Sequence, residues 1–539
     1  VQDDRWVVAD RPLLRHPPSL AALLVEPYWP ASFGGALWRP AVLASYALDF
    51  RVSDDPRWFH AVNALWAGLA TGLLTLLATV LAGTGVGLAT GLLFAVHPVH
   101  VEAVANVVGR AELIAAAAYA AALLCALRAD RRRGWLIGVA VAAAVAIGAK
   151  EHAATLPAAV LLVALARGVG RRRALALAAV ALAPIVAYFA LRAGIVHGAL
   201  ATGGVAPGLE GLSTAGRLWA MLALSLQWWR LLSFPAHLSA DYSPAQLTVS
   251  TGLGMAHVAA AALWLAAGSA AWRLWRRAPA ATLGLAWLAL TLVPVSNAVP
   301  TEVLVAERTL YLPSWGFLLA ATATAALVPR RGRALAAVVA VLCVLGAARS
   351  VARAGVWRDD DRWFAALQRD APRSYRTLWM QGDDAFRDGR WGTGERLLRA
   401  AGAAAPVVPG PFEDLAGRYA AAGLWSPAEG LLRQVIALDP SRPHPWQELA
   451  DVVLASGDTV RAGALADSMA RRFPADADAV ARAVDLLLDL GRCADASITL
   501  RRSAQALPPG SAAALAARAA RCPAASSRPT PPHNHPAPR

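Results

Sequence analysis

The sequence predicts an all-α protein in two parts, a polytopic membrane helical bundle over residues 1–349 followed by a helical-repeat solenoid over 350–522. Three observations predict it. Of the 539 residues 57% are hydrophobic, and the mean hydropathy of +0.44 is too apolar for an ordinary soluble enzyme. Apolar runs follow one another from about Trp58 to Ala348 with short basic interruptions, whereas the residues after Arg349 are mixed and amphipathic. In that second part glycines and prolines recur in a fixed 34-residue register.

The apolar stretches run approximately 60–82, 86–96, 110–128, 134–149, 152–167, 174–193, 256–275, 281–296, 310–328 and 334–349. Several are nearer fifteen residues than the twenty needed to cross a bilayer upright, so tilted or broken helices are expected. Segment 217–234, with Trp219, Trp228, Trp229 and Arg230, suits an interfacial or re-entrant helix better than a full span.

The net charge of +15 sits largely in the gaps between apolar runs: Arg128 with Arg131 to Arg133, Arg167 with Arg171 to Arg173, Arg273 with Arg276 and Arg277, and Arg330, Arg331 and Arg333. Such clusters mark cytoplasmic loops. Topology therefore explains the basic character, no RNA-binding motif accompanies it, and nucleic acid is not expected as a partner. On that assignment residues 1–58, the loop around His97–Arg110, the Lys150–Glu151 turn, the 194–255 region, the Asn297–Tyr311 loop and everything beyond Arg349 share the opposite side.

In the repeat region Gly389, Gly423, Gly457 and Gly491 are 34 residues apart, as are Pro406, Pro440, Pro474 and Pro508. Five residues after each glycine stands a small residue, Gly394, Ala428, Ala462 or Ala496, and Leu378, Phe412, Trp446 and Val480 repeat at equivalent first-helix positions. This is the tetratricopeptide pattern: the glycine closes one helix, the small residue lets two helices approach, and the proline ends the unit. One more alanine-rich helix is expected to cap the array after Pro508. The Pro/Ser-rich tail 523–539, with His533 and His535, reads as disordered. Cys125 and Cys343 lie in apolar runs as packing residues; Cys493 and Cys522 could pair in an oxidising compartment, which spacing alone does not establish.

Ionisable residues outside the arginine clusters are the functional candidates, because charge at membrane depth is costly. The Asp3–Asp4 pair can bind a divalent cation or supply a base. His97, His100 and Glu102 follow Pro98, which interrupts an apolar run, and Gly109-Arg110-Ala111-Glu112 comes next. These side chains could ligate a metal or orient a phosphate. Lys150-Glu151-His152 and Glu307-Arg308 complete the set, with Tyr311 beyond. Arg110, Lys150 and Arg308 are the cations that break the positive-inside bias. Each has a carboxylate within two residues, and these neighbouring acids are expected to keep the cations oriented toward a lipid phosphate.

The order Asp3-Asp4, Trp38-Arg39-Pro40 with Ser45 and Leu48, Phe59-His60-Ala61-Val62-Asn63, FAVHPVHVEAV with GRAEL, KEHAATLP, AERTLYLPSWGF and then the repeats resembles the transmembrane-and-tetratricopeptide-repeat O-mannosyltransferases of the GT-C class. The resemblance covers nearly the whole chain and implies a GT-C-like membrane bundle that uses a polyprenyl-phosphate sugar. It implies catalytic roles for Asp3 and Asp4, donor-phosphate binding by Arg110, Lys150 and Arg308, and a pocket shaped by Arg39, His60, His97, His100, Glu102, Glu151, Glu307 and Tyr311. A divalent metal on Asp3, Asp4, His97, His100 and Glu102 stays open. A further membrane helix is expected ahead of Asp3.

The Ala/Arg-rich composition fits a bacterial relative, multi-pass in the cytoplasmic membrane with its repeats in the periplasm. The expected reaction transfers a sugar, mannose in the family, to an acceptor hydroxyl, a protein held by the repeats being one candidate. Two alternatives stand beside it: a membrane-anchored repeat scaffold without catalysis, and a transporter of lipid-linked saccharides.

Overall fold

The computed structural model describes residues 3–30, 37–129, 132–196, 204–328, 332–503, 506–507 and 509–522; the tail with His533 and His535 lies outside them. Among the described residues there are helices and no strands. The chain divides into two compact units, Val1–Leu378 and Trp379–Arg539.

The first unit opens with a turn at Arg5–Ala9 and two short helices, α1 (Pro12–Arg15) and α2 (Leu20–Val25), both packed on α3 (Pro40–Val52). Val7, Leu14, Leu23, Leu43 and Tyr46 form their common core. Next come α4 (Pro56–Ala82), α5 (Thr84–Ala95), α6 (Val101–Ala105) and α7 (Arg110–Ala129). Pro98 cannot continue α5, and the chain turns by 52° between the two helical pieces on either side of it. The helices α8 (Trp135–Ala149), α9 (Leu156–Ala166), α10 (Arg171–Ile195) and α11 (Thr214–Ser233) follow, then α12 (Met255–Leu274), α13 (Pro279–Leu292), α14 (Tyr311–Ala325), α15 (Gly332–Ala354) and α16 (Asp360–Asp370).

Five of these segments, Pro56–Ala82, Val107–Ala129, Arg171–Ile195, Met255–Leu274 and Gly332–Trp357, are long and apolar enough to cross a membrane, and the bent pair after Gly83 would make a sixth. The stretches near 134–149, 152–167 and 281–296 form shorter apolar helices. The ambiguous tryptophan-rich segment becomes the single helix α11, which packs on α12.

A helix apolar on every side belongs in the interior. The helix α7 obeys this: from Arg110 to Ala120 every residue is buried. The outer helix α15 instead exposes Val341, Val344, Leu345 and Val351. Lipid tails are as apolar as leucine, so contacts inside the bundle rest on close packing and interhelical hydrogen bonds. Between α13 and α14 a Cβ on Gly284 would lie 2.5 Å from the Gly316 carbonyl oxygen, so only glycine permits that approach. The hydroxyls of Thr90 and Thr322 bond at 2.7 Å, and Trp315 Nε1 donates to the Leu74 carbonyl at 3.0 Å.

The division between units falls in α17 (Tyr375–Arg387). The second unit continues with α18 (Trp391–Ala404), then the pairs α19 (Gly410–Ala421) with α20 (Trp425–Leu438), α21 (Pro443–Ala455) with α22 (Thr459–Arg472) and α23 (Ala477–Asp489) with α24 (Cys493–Arg502), and ends on α25 (Pro509–Ala520). Each helix packs on the next through one core that includes Leu415, Leu432, Val453, Met469 and Leu487. Gly389, Gly423, Gly457 and Gly491 have φ of 73°, 73°, 91° and 69°. That left-handed conformation is what ends the first helix of each unit, and it favours glycine over any residue with a Cβ. Cys493 and Cys522 are joined by a disulfide, Cα to Cα 5.8 Å, which ties the start of α24 to the chain beyond α25.

Candidate active site

Three buried or half-buried ion pairs carry the expected cations, and none uses the sequence neighbour expected to orient it. Arg110 pairs with Asp49 and not with Glu112. Lys150 pairs with Glu112 and not with Glu151. Arg308 pairs with Glu102 and not with Glu307. Successive residues of a helical turn point about 100° apart, so adjacent charges face different neighbours. Glu151 instead meets Arg39 at 2.9 Å, and Glu307 lies 3.6 Å from Arg353.

The first group is a closed cage around Arg110, whose side chain is 0% exposed. It starts α7, where Gly109 lets the preceding loop fold back: a Cβ there would lie 2.3 Å from the Ala103 carbonyl oxygen. Nε donates to Asn63 Oδ1 at 2.7 Å, Nη2 to the Phe59 carbonyl at 3.0 Å, and Nη1 to Asp49 and, at 3.4 Å, to Ser45 Oγ. The guanidinium also lies 4.6 Å from the Tyr46 ring centroid. Asn63 Nδ2 in turn donates to the Asn106 carbonyl at 3.1 Å, and Tyr46 donates to that of Val107 at 2.9 Å. Arg110 was expected to hold the donor phosphate. With every nitrogen engaged and no exposed surface, its guanidinium secures α3, α4 and the 104–109 loop.

The acidic pair sits against this loop. Asp4 Oδ1 accepts the Val108 N–H at 2.9 Å. Burial raises the Asp4 carboxyl above its ordinary range, with the Val108 and Val107 amides pulling the other way. Asp3 lies within electrostatic range of Arg308: burial disfavours the Arg308 charge, and Glu102 and then Asp3 favour it enough to raise its proton affinity.

The second group is more open. Arg308 has 31% of its side chain exposed; its backbone N–H donates to Glu102 Oε2 at 2.8 Å while its guanidinium takes the other carboxylate oxygen. The Glu112 carboxylate holds Lys150 and lies 3.3 Å from His152 Nδ1. Lys150 feels both Arg39 and Arg308: burial lowers its proton affinity, Glu112 opposes, and the two arginines lower it further. Arg39, Lys150 and Arg308 thus form one field of positive charge, balanced by Glu102, Glu112, Glu151 and Asp3.

Of the remaining expected residues, His60 lies within electrostatic range of Asp4 and Arg110, while His97, His100 and Tyr311 turn to other partners. His97 Nε2 bonds to the Leu232 carbonyl at 3.1 Å and His100 Nε2 to Ser314 Oγ at 2.8 Å, and the His100 ring packs 4.5 Å from that of Tyr311; all three are buried. His60 is exposed on α4. Asp3, Asp4, His97, His100 and Glu102 do not converge on a metal position. Among the described residues, metal-ligating atoms come within 4.8 Å of one another at Glu413, His444 and Glu448 of the second unit, and Glu413 is there held by Arg442 at 2.9 and 3.0 Å. Asp49 was not among the functional candidates, Asn63 stood there only as the end of the Phe59–Asn63 motif, and His152 only beside Lys150 and Glu151. Asp49 could have been found as the one carboxylate of α3.

Glu307 carries a pH dependence. It is fully buried, accepts from Tyr242 Oη at 2.8 Å and the Ser239 amide at 2.6 Å, and faces Arg353 and Glu102. Burial pushes its carboxyl from 4.5 up to about 7, Arg353 opposing and Glu102 adding. A raised native value means the folded chain binds the proton more tightly than the unfolded one. Stability contributed by the protonated form is therefore complete below 4.5 and is lost as pH rises through about 7. Thermal unfolding from pH 5 to pH 8 is expected to show this decline, and Glu307→Gln to flatten it; an unchanged slope in the variant would assign the decline to other groups.

Residues 47–192 match the sequence model of the family described as dolichyl-phosphate-mannose-protein mannosyltransferase. That stretch holds Asp49, Glu102, Arg110, Glu112, Lys150, Glu151 and His152. Over 132 residues, 23% of this chain, the sequence is 36% identical to the Mus musculus Protein O-mannosyl-transferase TMTC1, covering 14% of that protein. Over 99 residues it is 44% identical to Drosophila melanogaster Protein O-mannosyl-transferase Tmtc2, with coverages of 18% and 11%. A longer match at 25% identity to Mus musculus Protein O-mannosyl-transferase TMTC4 takes in 72% of this chain and 61% of that one. The first two matches span less than a fifth of those relatives' own length. A segment of the first unit thus matches the mannosyltransferase family model, and the chain is similar to the transmembrane-and-tetratricopeptide-repeat protein O-mannosyl-transferases.

Proposed function

We propose that this protein is an integral-membrane glycosyltransferase that moves a sugar, mannose as in the names of its relatives, from a polyprenyl-phosphate donor to an acceptor hydroxyl on protein. The observation that carries the reading is the convergence of Arg39, Lys150 and Arg308 with Glu102, Glu112, Glu151 and the Asp3 carboxylate, in a bundle whose 47–192 segment matches that family.

In the proposed reaction the acceptor oxygen attacks the anomeric carbon as the bond from that carbon to the phosphate oxygen breaks. The bonding pair leaves with the polyprenyl phosphate, and the hydroxyl proton passes to a carboxylate. Arg308 and Lys150 stabilise the charge that grows on the leaving phosphate, since fixed cations in a site poor in water need no reorganisation as the bond breaks. Asp3, facing Arg308, is the base, and Asp4 anchors the segment to the 107–108 backbone. Arg110 acts as a positioning residue.

The reaction is assigned to the extracytoplasmic face of a bacterial cytoplasmic membrane. The arginine-rich gaps support that orientation, and so does the Cys493–Cys522 disulfide, because such bonds persist in oxidising compartments. The repeats would hold an extended protein acceptor along their surface.

Glycan mass spectrometry of envelope proteins from cells carrying wild type or Asp3→Asn/Asp4→Asn tests the reading. Loss of a hexose modification from specific peptides is expected in the variant. An identical glycan profile in both strains would leave the anchored repeat scaffold in its place.

A further inference from the structure

A polar cavity of about 840 Å³ lies in the first unit and is lined by Arg230, Arg349, Arg353, Arg369, Asp241 and Asp370 among others. It takes in the loop after α11, the last turn of α15 and the end of α16. None of the residues assigned to the transferase centre lines it.

Its charges are not balanced within the wall. Arg230 is held by Gln227 Oε1 and the His237 carbonyl, each at 2.9 Å, and Arg349 by the Ala236 carbonyl at 3.0 and 3.2 Å; these are neutral oxygens. Asp241 faces out of this set, toward Ser374 and, at 3.4 Å, Arg376. Asp370 is shared between Arg369 at 3.0 Å and Arg353 at 3.5 Å.

Arg353 is the decisive residue. Its side chain is 2% exposed, yet among the described residues Nε and Nη2 have no hydrogen-bond partner, and its acids lie no closer than 3.5 Å. A buried guanidinium left short of acceptors costs stability unless a ligand completes it. Attraction to the negative end of α15 would favour a cation in this turn without requiring its burial.

We propose that this cavity binds a phosphate group of a membrane lipid, with Arg353 at its floor and Arg230 and Arg349 closing on the remaining oxygens. A single carboxylate is satisfied by one guanidinium fork, whereas a tetrahedral phosphate presents oxygens to several at once. The lipid source follows from the surroundings. Val344, Leu345 and Val351 of α15 and Phe234 at the end of α11 are 60–75% exposed beside the lining residues, so an acyl chain has an apolar face to lie on while its headgroup enters. Basic pockets between membrane helices recognise headgroups in this way. The inference stands apart from the transferase reading and would survive its failure.

The test uses the full chain purified in a non-ionic detergent, its thermal unfolding midpoint followed while phosphatidylglycerol, diacylglycerol or inorganic phosphate is titrated in. Phosphatidylglycerol is expected to raise the midpoint and diacylglycerol, which lacks the phosphate, to leave it unchanged. A rise with inorganic phosphate as well would show that the phosphate alone fills the site; a rise with the lipid alone would show that the acyl chain contributes. Arg353→Gln removes the floor but risks misfolding, so the deciding variant is Arg230→Gln/Arg349→Gln, in which the apparent affinity should fall at least tenfold. Arg276→Gln/Arg277→Gln, an arginine pair elsewhere, should keep the wild-type response. The proposal is overturned if phosphatidylglycerol gives no shift in wild type, if Arg230→Gln/Arg349→Gln responds like wild type, or if the Arg276/Arg277 variant loses the response equally.

Discussion

Arg308→Gln is expected to lower sugar transfer by roughly 10²- to 10³-fold in kcat, the usual effect of removing one donor aimed at charge that develops in a transition state. Glutamine keeps hydrogen-bonding capacity and removes the positive charge, with a side chain two heavy atoms smaller. Glu102 would then lie buried with its anion opposed only by backbone, because the Arg308 N–H still donates to Oε2 at 2.8 Å. The readout is single-turnover transfer from a polyprenyl-phosphate sugar, with KM taken separately. A fall in kcat at nearly constant KM places Arg308 on the leaving phosphate. A rise in KM alone would mean ground-state binding only, and unchanged kinetics would remove Arg308 from the reaction.

The second large effect concerns stability. Arg110→Gln leaves the Asp49 carboxylate without its cation in a site where the arginine is wholly buried and Asp49 nearly so. Breaking a buried pair by removing one partner costs about 3–5 kcal/mol, because the orphaned charge is not resolvated. Asp49→Asn is expected to cost less, since Asn63, Ser45 and the Phe59 carbonyl continue to accept from the guanidinium. The double variant Arg110→Gln/Asp49→Asn should be less damaging than the sum of the two, and a double-mutant cycle on denaturant unfolding measures that difference. Additive losses would show that the two side chains act independently.

The glycine register of the helical second unit was legible in the sequence, though the repeat part was expected from 350 and the compact unit begins at Trp379. Gly389, Gly423, Gly457 and Gly491 recur at 34-residue intervals, and each has the positive φ that ends a helix. The apolar stretches of the first unit were legible as helices, including the break at Pro98 and the short pieces near 134–149 and 152–167. Both signals are local: a turn residue or a run of apolar side chains carries its meaning within one or two helical turns.

The site was legible in its residue types but not in its partnerships. The sequence singled out Arg110, Lys150 and Arg308 as cations that break the positive-inside bias but matched each with an acid within two residues in the chain. The actual partners are 61, 38 and 206 residues away, for Arg110 with Asp49, Lys150 with Glu112 and Arg308 with Glu102. Arg39 likewise reaches Glu151 across 112 residues. Similar side chains met different fates: Arg110 is sealed into a cage, Arg308 keeps nearly a third of its side chain in the open, and His97 and His100 turn into the bundle.

By itself, then, the sequence determined which apolar stretches form helices and suit lipid, and which few ionisable residues depart from that pattern; the short helices α1 and α2 and the helix α3 were not among its expectations. The tertiary structure alone decided which charge faces which. The physical reason is the cost of an unpaired charge in a low-dielectric interior: it forces every such group to find a partner, but the partner need only be near in space, and packing of distant helices sets that distance.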